Sequence, residues 1–184
     1  MHTSDDTQLR YPVGRFEAPA TITPNHIAGW IEEVAALPGQ VRDAAARCSE
    51  AQLETPYRPG GWTVRQVIHH IPDSHINCYV RYRWALTEDR PTIKVYDETA
   101  WAELPDAAHA PIEISLNLLE AVHGRWVALL RDMRPEDFAR EFVHTVQGPT
   151  TLARALGMYA WHGRHHLAHI KMVLGDQRTA TSER

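Results

Sequence analysis

Between Leu152 and Leu174 apolar residues recur at helical spacing (Leu152, Leu156, Tyr159, then Ile170 and Val173 or Leu174), and four histidines fall among them. A helix that carries imidazoles on its buried side must fold against partners for them, because buried polar atoms need hydrogen bonds or ligands. Gly148 and Pro149 break whatever precedes this helix, and Thr150 or Thr151 can cap its start. His162 and His166 lie one turn apart and project from one face. Two imidazoles so spaced can reach a single metal ion at about 2.0–2.1 Å. His169 continues the stripe and His165 lies toward its edge. An HxxxH pair alone also fits two hydrogen-bonded core histidines, since two ligands do not fix a metal. No Glu follows His162, so the HExxH zinc-protease arrangement is absent and any general base must come from elsewhere.

The remaining periodic stretches are also helical. Thr23 and Pro24 read as N-cap and first helical residue, followed by Ile27, Trp30, Ile31, Val34, Val41 and Ala45. Pro38-Gly39 should kink this helix or split it. Thr63 and Gln66 form a capping box that opens a helix to about Leu86. Its residues His70, Ser74, Asn77 and Arg81 make one polar stripe, which faces solvent or, as the second choice, a polar cavity. Pro72 should bend this helix beside His69 and His70. A third helix runs from Glu113 to Arg131 with Leu116, Leu119, His123, Trp126 and Leu130 on one stripe, and His123 reads as a satisfied core histidine.

Between these helices, residues 49–61 read as a loop. Residues 87–111 form a long connection, either a lid or a crossover, in which Asp97 caps a short turn carrying Trp101 and Leu104. Residues 135–148 look irregular, with Glu141–His144 as a short extended piece. Four amphipathic helices without strand alternation predict an all-α four-helix bundle.

A chain of 184 residues suits one domain with a sizeable core, here residues 11–175. Residues 1–10 and 176–184 are expected to be disordered tails. The Tyr11–Pro19 stretch should be an extended arm that packs through Tyr11, Val13 and Phe16. A net charge of −4 does not point to nucleic acid or anionic lipid. No apolar run approaches a membrane span, and the polar start does not read as a signal peptide. Cys48 and Cys78 form no disulfide framework and read as core filler, with Cys78 as a nucleophile a minor alternative. A reducing cytoplasm is the expected setting.

The stretch Gly60 to His75 (GGWTVRQVIHHIPDSH) and the stretch Trp161 to Ile170 (WHGRHHLAHI) resemble the DinB/YfiT-like metalloenzyme family. Tyr96–Trp101 (YDETAW), His123–Trp126 (HGRW) and Tyr11–Gly14 (YPVG) are similar to its YfiT branch, which includes bacillithiol S-transferase. The likeness covers the chain from about Tyr11 to Leu174. It implies a four-helix bundle, often a homodimer, with one divalent ion, zinc or nickel, held by His70, His162 and His166. Spacing alone leaves His69 and His70 equally open, and the resemblance chooses His70. Pro72 departs from the family pattern beside His70 and Asp73.

Three histidine ligands leave a position for water or substrate. The first expected chemistry is a transferase in which the metal lowers the pKa of a low-molecular-weight thiol, bacillithiol-like, for transfer to an electrophile under the 87–111 connection. Asn77 and Arg81, on the stripe with His70, are the candidate cosubstrate-binding residues. The second is hydrolysis of an ester or amide by hydroxide generated on the metal, with Asp73 or His169 as proton acceptor. Asp73 and Asn77 could instead orient ligand imidazoles. The third is a non-catalytic metal-binding stress protein, which a closed fourth ligand such as His165 or His169 would favour. The expected partner is a small-molecule substrate.

Overall fold

The computed structural model describes residues 4–176. Its helices are α1 (Ser4–Arg10), α2 (Pro24–Ala45), α3 (Glu50–Leu53), α4 (Val64–Thr87), α5 (Glu98–Ala102), α6 (Pro105–His109), α7 (Ile112–Asp132) and α8 (Leu152–Leu174). The four long ones, α2, α4, α7 and α8, form the bundle. Helices α2 and α4 each pack against both α7 and α8, so α2 and α4 stand on one diagonal of the bundle. All-α four-helix architecture is therefore what the chain adopts.

Local signals set the helix ends. The Thr23 hydroxyl accepts from the His26 amide and Pro24 occupies the first helical position. Thr63 and Gln66 close the capping box of α4, and Thr151 caps α8. Helix α8 ends at Gly175, whose φ of 78° is a left-handed conformation that glycine adopts without a Cβ penalty. Helix α2 is not split at Pro38, and α4 runs without interruption through Pro72.

Three expectations need correction. Residues 4–10, placed in a disordered tail, are helical, and Arg10 pairs with Asp6 at 2.9 Å. Asp176 is ion-paired with Arg47, and residues 177–184 lie outside the described residues. Of the arm residues, Tyr11 and Phe16 pack partly buried, but Val13 is exposed. Among the connections a small sheet appears: β1 (Thr92–Ile93) lies parallel to β2 (Glu141–His144), which pairs antiparallel with β3 (Gly148–Thr151). Strands of two and four residues are too short to show alternation. Of these only Glu141–His144 reads as extended in the sequence.

The core divides into two apolar clusters. One gathers Val34, Cys78, Tyr82, Trp126 and Leu156, and the other Leu37, Ile71, Leu119, Leu167 and Ile170. Each long helix passes from one cluster to the other at the level where histidines sit: buried His75 on α4, buried His123 on α7 and half-buried His162 on α8. The bundle thus contains a slab of imidazoles between two hydrophobic layers.

Candidate metal centre

Ligand-capable nitrogens of His70, His162 and His166 lie within 4.8 Å of one another. The Nε2 atoms of His70 and His162 are 3.2 Å apart. Two nitrogens about 2.1 Å from one tetrahedral ion stand roughly 3.4 Å apart, so this spacing suits shared ligation. Trp62 walls the set, its ring 4.7 Å from His70 and stacked 6.3 Å from His166. Burial pushes the His70 pKa down to about 4 and those of His162 and His166 well below the usual value. The three are therefore neutral at pH 7, which is the form that ligates metals. No carboxylate belongs to the cluster among the described residues. Three neutral imidazoles with converging ring nitrogens fit a divalent borderline ion such as zinc or nickel.

The other member of the His-His pair is spent elsewhere. His69 Nε2–H donates to the Ala110 carbonyl at 3.1 Å, and its Nδ1 meets the Ser115 hydroxyl at 2.7 Å. Of the pair that spacing left open, it is His70 and not His69 that faces His162 and His166.

The centre opens into a cavity of about 740 Å³ lined by His70, Ser74 and Arg81 of α4, and by Tyr96 and Glu98 of the 87–111 connection. Arg10, from the newly found α1, also reaches it. The stripe on α4 that was expected to face solvent instead buries His70, Ser74 and Arg81, all under one-tenth exposed. Solvent loses because the 87–111 connection folds back over the stripe, with Gln66 donating to the Ala102 carbonyl at 2.8 Å.

Not every candidate joins the site. Asp73 does not line the cavity; burial and nearby Asp106 push its carboxyl up to about 6. Asn77 is also outside the lining and gives its amide to the Asp73 backbone carbonyl at 2.8 Å. His169 stacks on Tyr57 at 3.8 Å, and its Nδ1 lies 3.4 Å from the His166 Nδ1. It touches the side of His166 rather than the cavity, and burial lowers its pKa to about 3. His165, His166 and His169 form a second close group on α8. Cys78 is fully buried, and burial raises its thiol pKa, which suits core filler.

Sequence reasoning passed over His75, Trp62 and Tyr159. His75 Nε2 lies 3.1 Å from His162 Nδ1, and His75 Nδ1 lies 2.9 Å from His123 Nε2. His123 Nδ1 is 2.6 Å from the Val34 carbonyl, which makes it the satisfied core histidine it was read to be. A signal for His75 exists: Val64, Val67, Ile68, Ile71, His75, Cys78 and Tyr82 follow the core spacing of α4, so a histidine there demands a buried partner.

Comparison with known proteins points to a metal-dependent enzyme with this fold. Curated relatives in Bacillus mycoides and Bacillus cereus are 52% identical over 162 residues, 88% of this chain and 93% of theirs, and both are named "putative metal-dependent hydrolase". The solved structure of YfiT from Bacillus subtilis, described as "a probable metal-dependent hydrolase with an unusual four-helix bundle topology", superposes with a TM-score of 0.89. It is 44% identical and covers 92% of this chain and 97% of its own. The four-helix bundle protein TT2238 shares the fold at 19% identity and a TM-score of 0.55, over 79% of this chain and 98% of its own. The DinB superfamily model matches residues 33–170, three quarters of the sequence, and with the shared bundle and relatives over half identical it shows that this chain belongs to the DinB superfamily.

Proposed function

We propose that the protein is a metal-dependent enzyme whose ion is held by His70, His162 and His166 and which activates a small thiol for transfer to an electrophile. The observation that carries the reading is three neutral imidazoles at the wall of a substrate-sized cavity with no carboxylate among them. A bound divalent ion supplies Lewis acidity that lowers the pKa of a thiol or a water at its open position. A thiol already acidic near neutrality needs no carboxylate base beside the ion, whereas water activation is helped by one.

The chain's own residues would then bind and orient. Arg81 is 8% exposed, and among the described residues its one hydrogen bond is a 3.4 Å contact to the Tyr159 hydroxyl, with no carboxylate at ion-pair distance. A buried guanidinium without a counter-ion favours an anionic group on the thiol or the electrophile. Trp62 and Tyr96 supply apolar walls. Hydrolysis is the second reading, favoured by the names of the relatives; Glu98 is the carboxylate that lines the cavity.

The experiment loads the purified protein with zinc or nickel and follows 1-chloro-2,4-dinitrobenzene with and without L-cysteine. In the expected reaction a C–S bond forms, chloride leaves and the thiol proton passes to solvent. Turnover that requires the thiol and disappears in His162→Ala supports transfer. Ester hydrolysis at the same rate without thiol moves the assignment to a hydrolase.

A further inference from the structure

A line of imidazoles crosses the whole bundle. It starts at the Val34 carbonyl on α2 and passes His123 on α7 and His75 on α4. It ends at His162 on α8, with successive contacts of 2.6, 2.9 and 3.1 Å. His123 is 1% exposed and His75 is fully buried. None of the line's hydrogen bonds goes to a carboxylate, and above the ordinary imidazole pKa of about 6.5 each ring carries a single N–H.

The end of this line decides the rest. A carbonyl oxygen only accepts, so the proton of His123 is on Nδ1. Its Nε2 is then a lone pair, and the facing His75 Nδ1 must donate. That leaves the His75 Nε2 as a lone pair, so the His162 Nδ1 must donate in turn. The remaining lone pair of His162 is on Nε2, the atom 3.2 Å from His70 Nε2. Reversing any one bond would set two lone pairs or two N–H groups against each other in the dry interior, where an unmade hydrogen bond costs about 1–3 kcal/mol.

We propose that His75 and His123 are positioning residues of the metal centre: through them the Val34 carbonyl holds His162 in the Nδ1–H tautomer with its Nε2 free for the ion. This rests on the metal-centre reading above. Metal-bound histidines commonly donate their second N–H directly to a carbonyl or carboxylate. Here the accepting carbonyl stands two imidazoles away, on the helix diagonal to the one that carries the ligand His70. Linked hydrogen bonds of this kind polarise one another and make the terminal nitrogen a stronger donor to metal. The arrangement also ties the register of four helices to the aim of one ligand.

The test begins on metal-free protein labelled with ¹⁵N-histidine at pH 8. The nitrogen shifts and couplings should report Nδ1–H tautomers for His123, His75 and His162 together, although Nε2–H is the commoner form of a free histidine side chain. An Nε2–H tautomer at His75 or His162 overturns the proposal. Zinc affinity of the full chain is then compared in His123→Leu and His123→Gln. Leucine removes the acceptor for His75 and should weaken zinc binding roughly 10–100-fold. Glutamine offers an N–H to Val34 and an oxygen to His75, and should restore affinity to within a few-fold. Wild-type affinity in a folded His123→Leu sinks the proposal, and if that variant does not fold, the tautomers of the wild-type protein decide. Failure of the wild type to bind zinc or nickel would instead count against the metal centre itself, while the tautomer pattern still tests the relay.

Discussion

Acid should unfold the metal-free protein before most of its carboxylates protonate, because folding buries histidines as neutral rings. Burial lowers the pKa values of His70, His123 and His165 to about 4 and that of His169 to about 3, from 6.5. The folded values lie below the unfolded ones, so the unfolded chain binds more protons as pH falls. The stability these groups contribute is fully present above pH 6.5 and is lost progressively between 6.5 and about 4. For one histidine with these two values, lowering the pH from 7.5 to 5 removes about 2 kcal/mol. The four act in the same direction, and their combined loss is several kcal/mol, a large part of the ~5–15 kcal/mol total stability of a domain. His75, His162 and His166, also shifted down, add to the same loss. Urea unfolding of chelator-treated protein at pH 7.5, 6.5, 5.5 and 5.0 measures it. The midpoint should fall steeply below pH 6.5, with net uptake of at least four protons on unfolding near pH 5. A free energy at pH 5 within about 1 kcal/mol of that at pH 7.5 would refute the reasoning, because even one such histidine exceeds that figure.

Two other perturbations separate packing from recognition. A Cβ at Gly163 would lie 2.5 Å from Leu37 Cδ2, where α2 and α8 meet, so Gly163→Ala should cost about 1–3 kcal/mol in chemical denaturation. Gly124 has nothing within 4 Å of an added Cβ, and Gly124→Ala on the same assay should stabilise by up to about 1 kcal/mol. Arg81→Met should raise KM about 10-fold or more for carboxylate-bearing thiols or esters while leaving neutral analogues within about 3-fold, as the loss of a charged hydrogen bond predicts. Equal effects on both classes would remove Arg81 from anion recognition.

The helices were legible because their signals are local. Thr23-Pro24, Thr63 with Gln66, and the Thr151 cap each act within one turn, so their residues specify an end without knowing the fold. The small sheet was not legible, since β1 exists only because Thr92 and Ile93 meet Val143 and His144 some fifty residues away. The polar stripe of α4 reads the same whether water or a lid covers it; only the folded 87–111 connection decides. The HxxxH pair was visible as a possible ligand set, but spacing could not choose between His69 and His70. That choice depends on Ala110 and Ser115, which capture His69 from the start of α7 and the residue pair before it. His75 was hidden by reading α4 for its polar stripe. On the apolar face the same helix carries a histidine that only a partner helix could satisfy.

The neutral state of the three proposed ligands has a consequence for metal uptake. An exposed site made of three imidazoles with pKa near 6.5 holds about 1.5 protons at pH 6.5, and an ion must displace them. Here His70, His162 and His166 have already lost theirs to burial. The 3.2 Å contact between the Nε2 atoms of His70 and His162 does not change the count. If His162 Nε2 is the lone pair, His70 donates across that gap in the metal-free protein. On ligation it moves its proton to Nδ1, an exchange of tautomers with no net release. Zinc titrations by calorimetry at pH 6.5, in buffers of different ionisation enthalpy, should therefore give a heat that barely depends on the buffer, with fewer than about 0.5 protons released per ion. Release near 1.5 would mean that the imidazoles are charged before the ion arrives. The folding energy spent on neutralising them would then be absent, and their share of the stability loss below pH 6.5 should vanish with it, leaving the share carried by His123, His165 and His169.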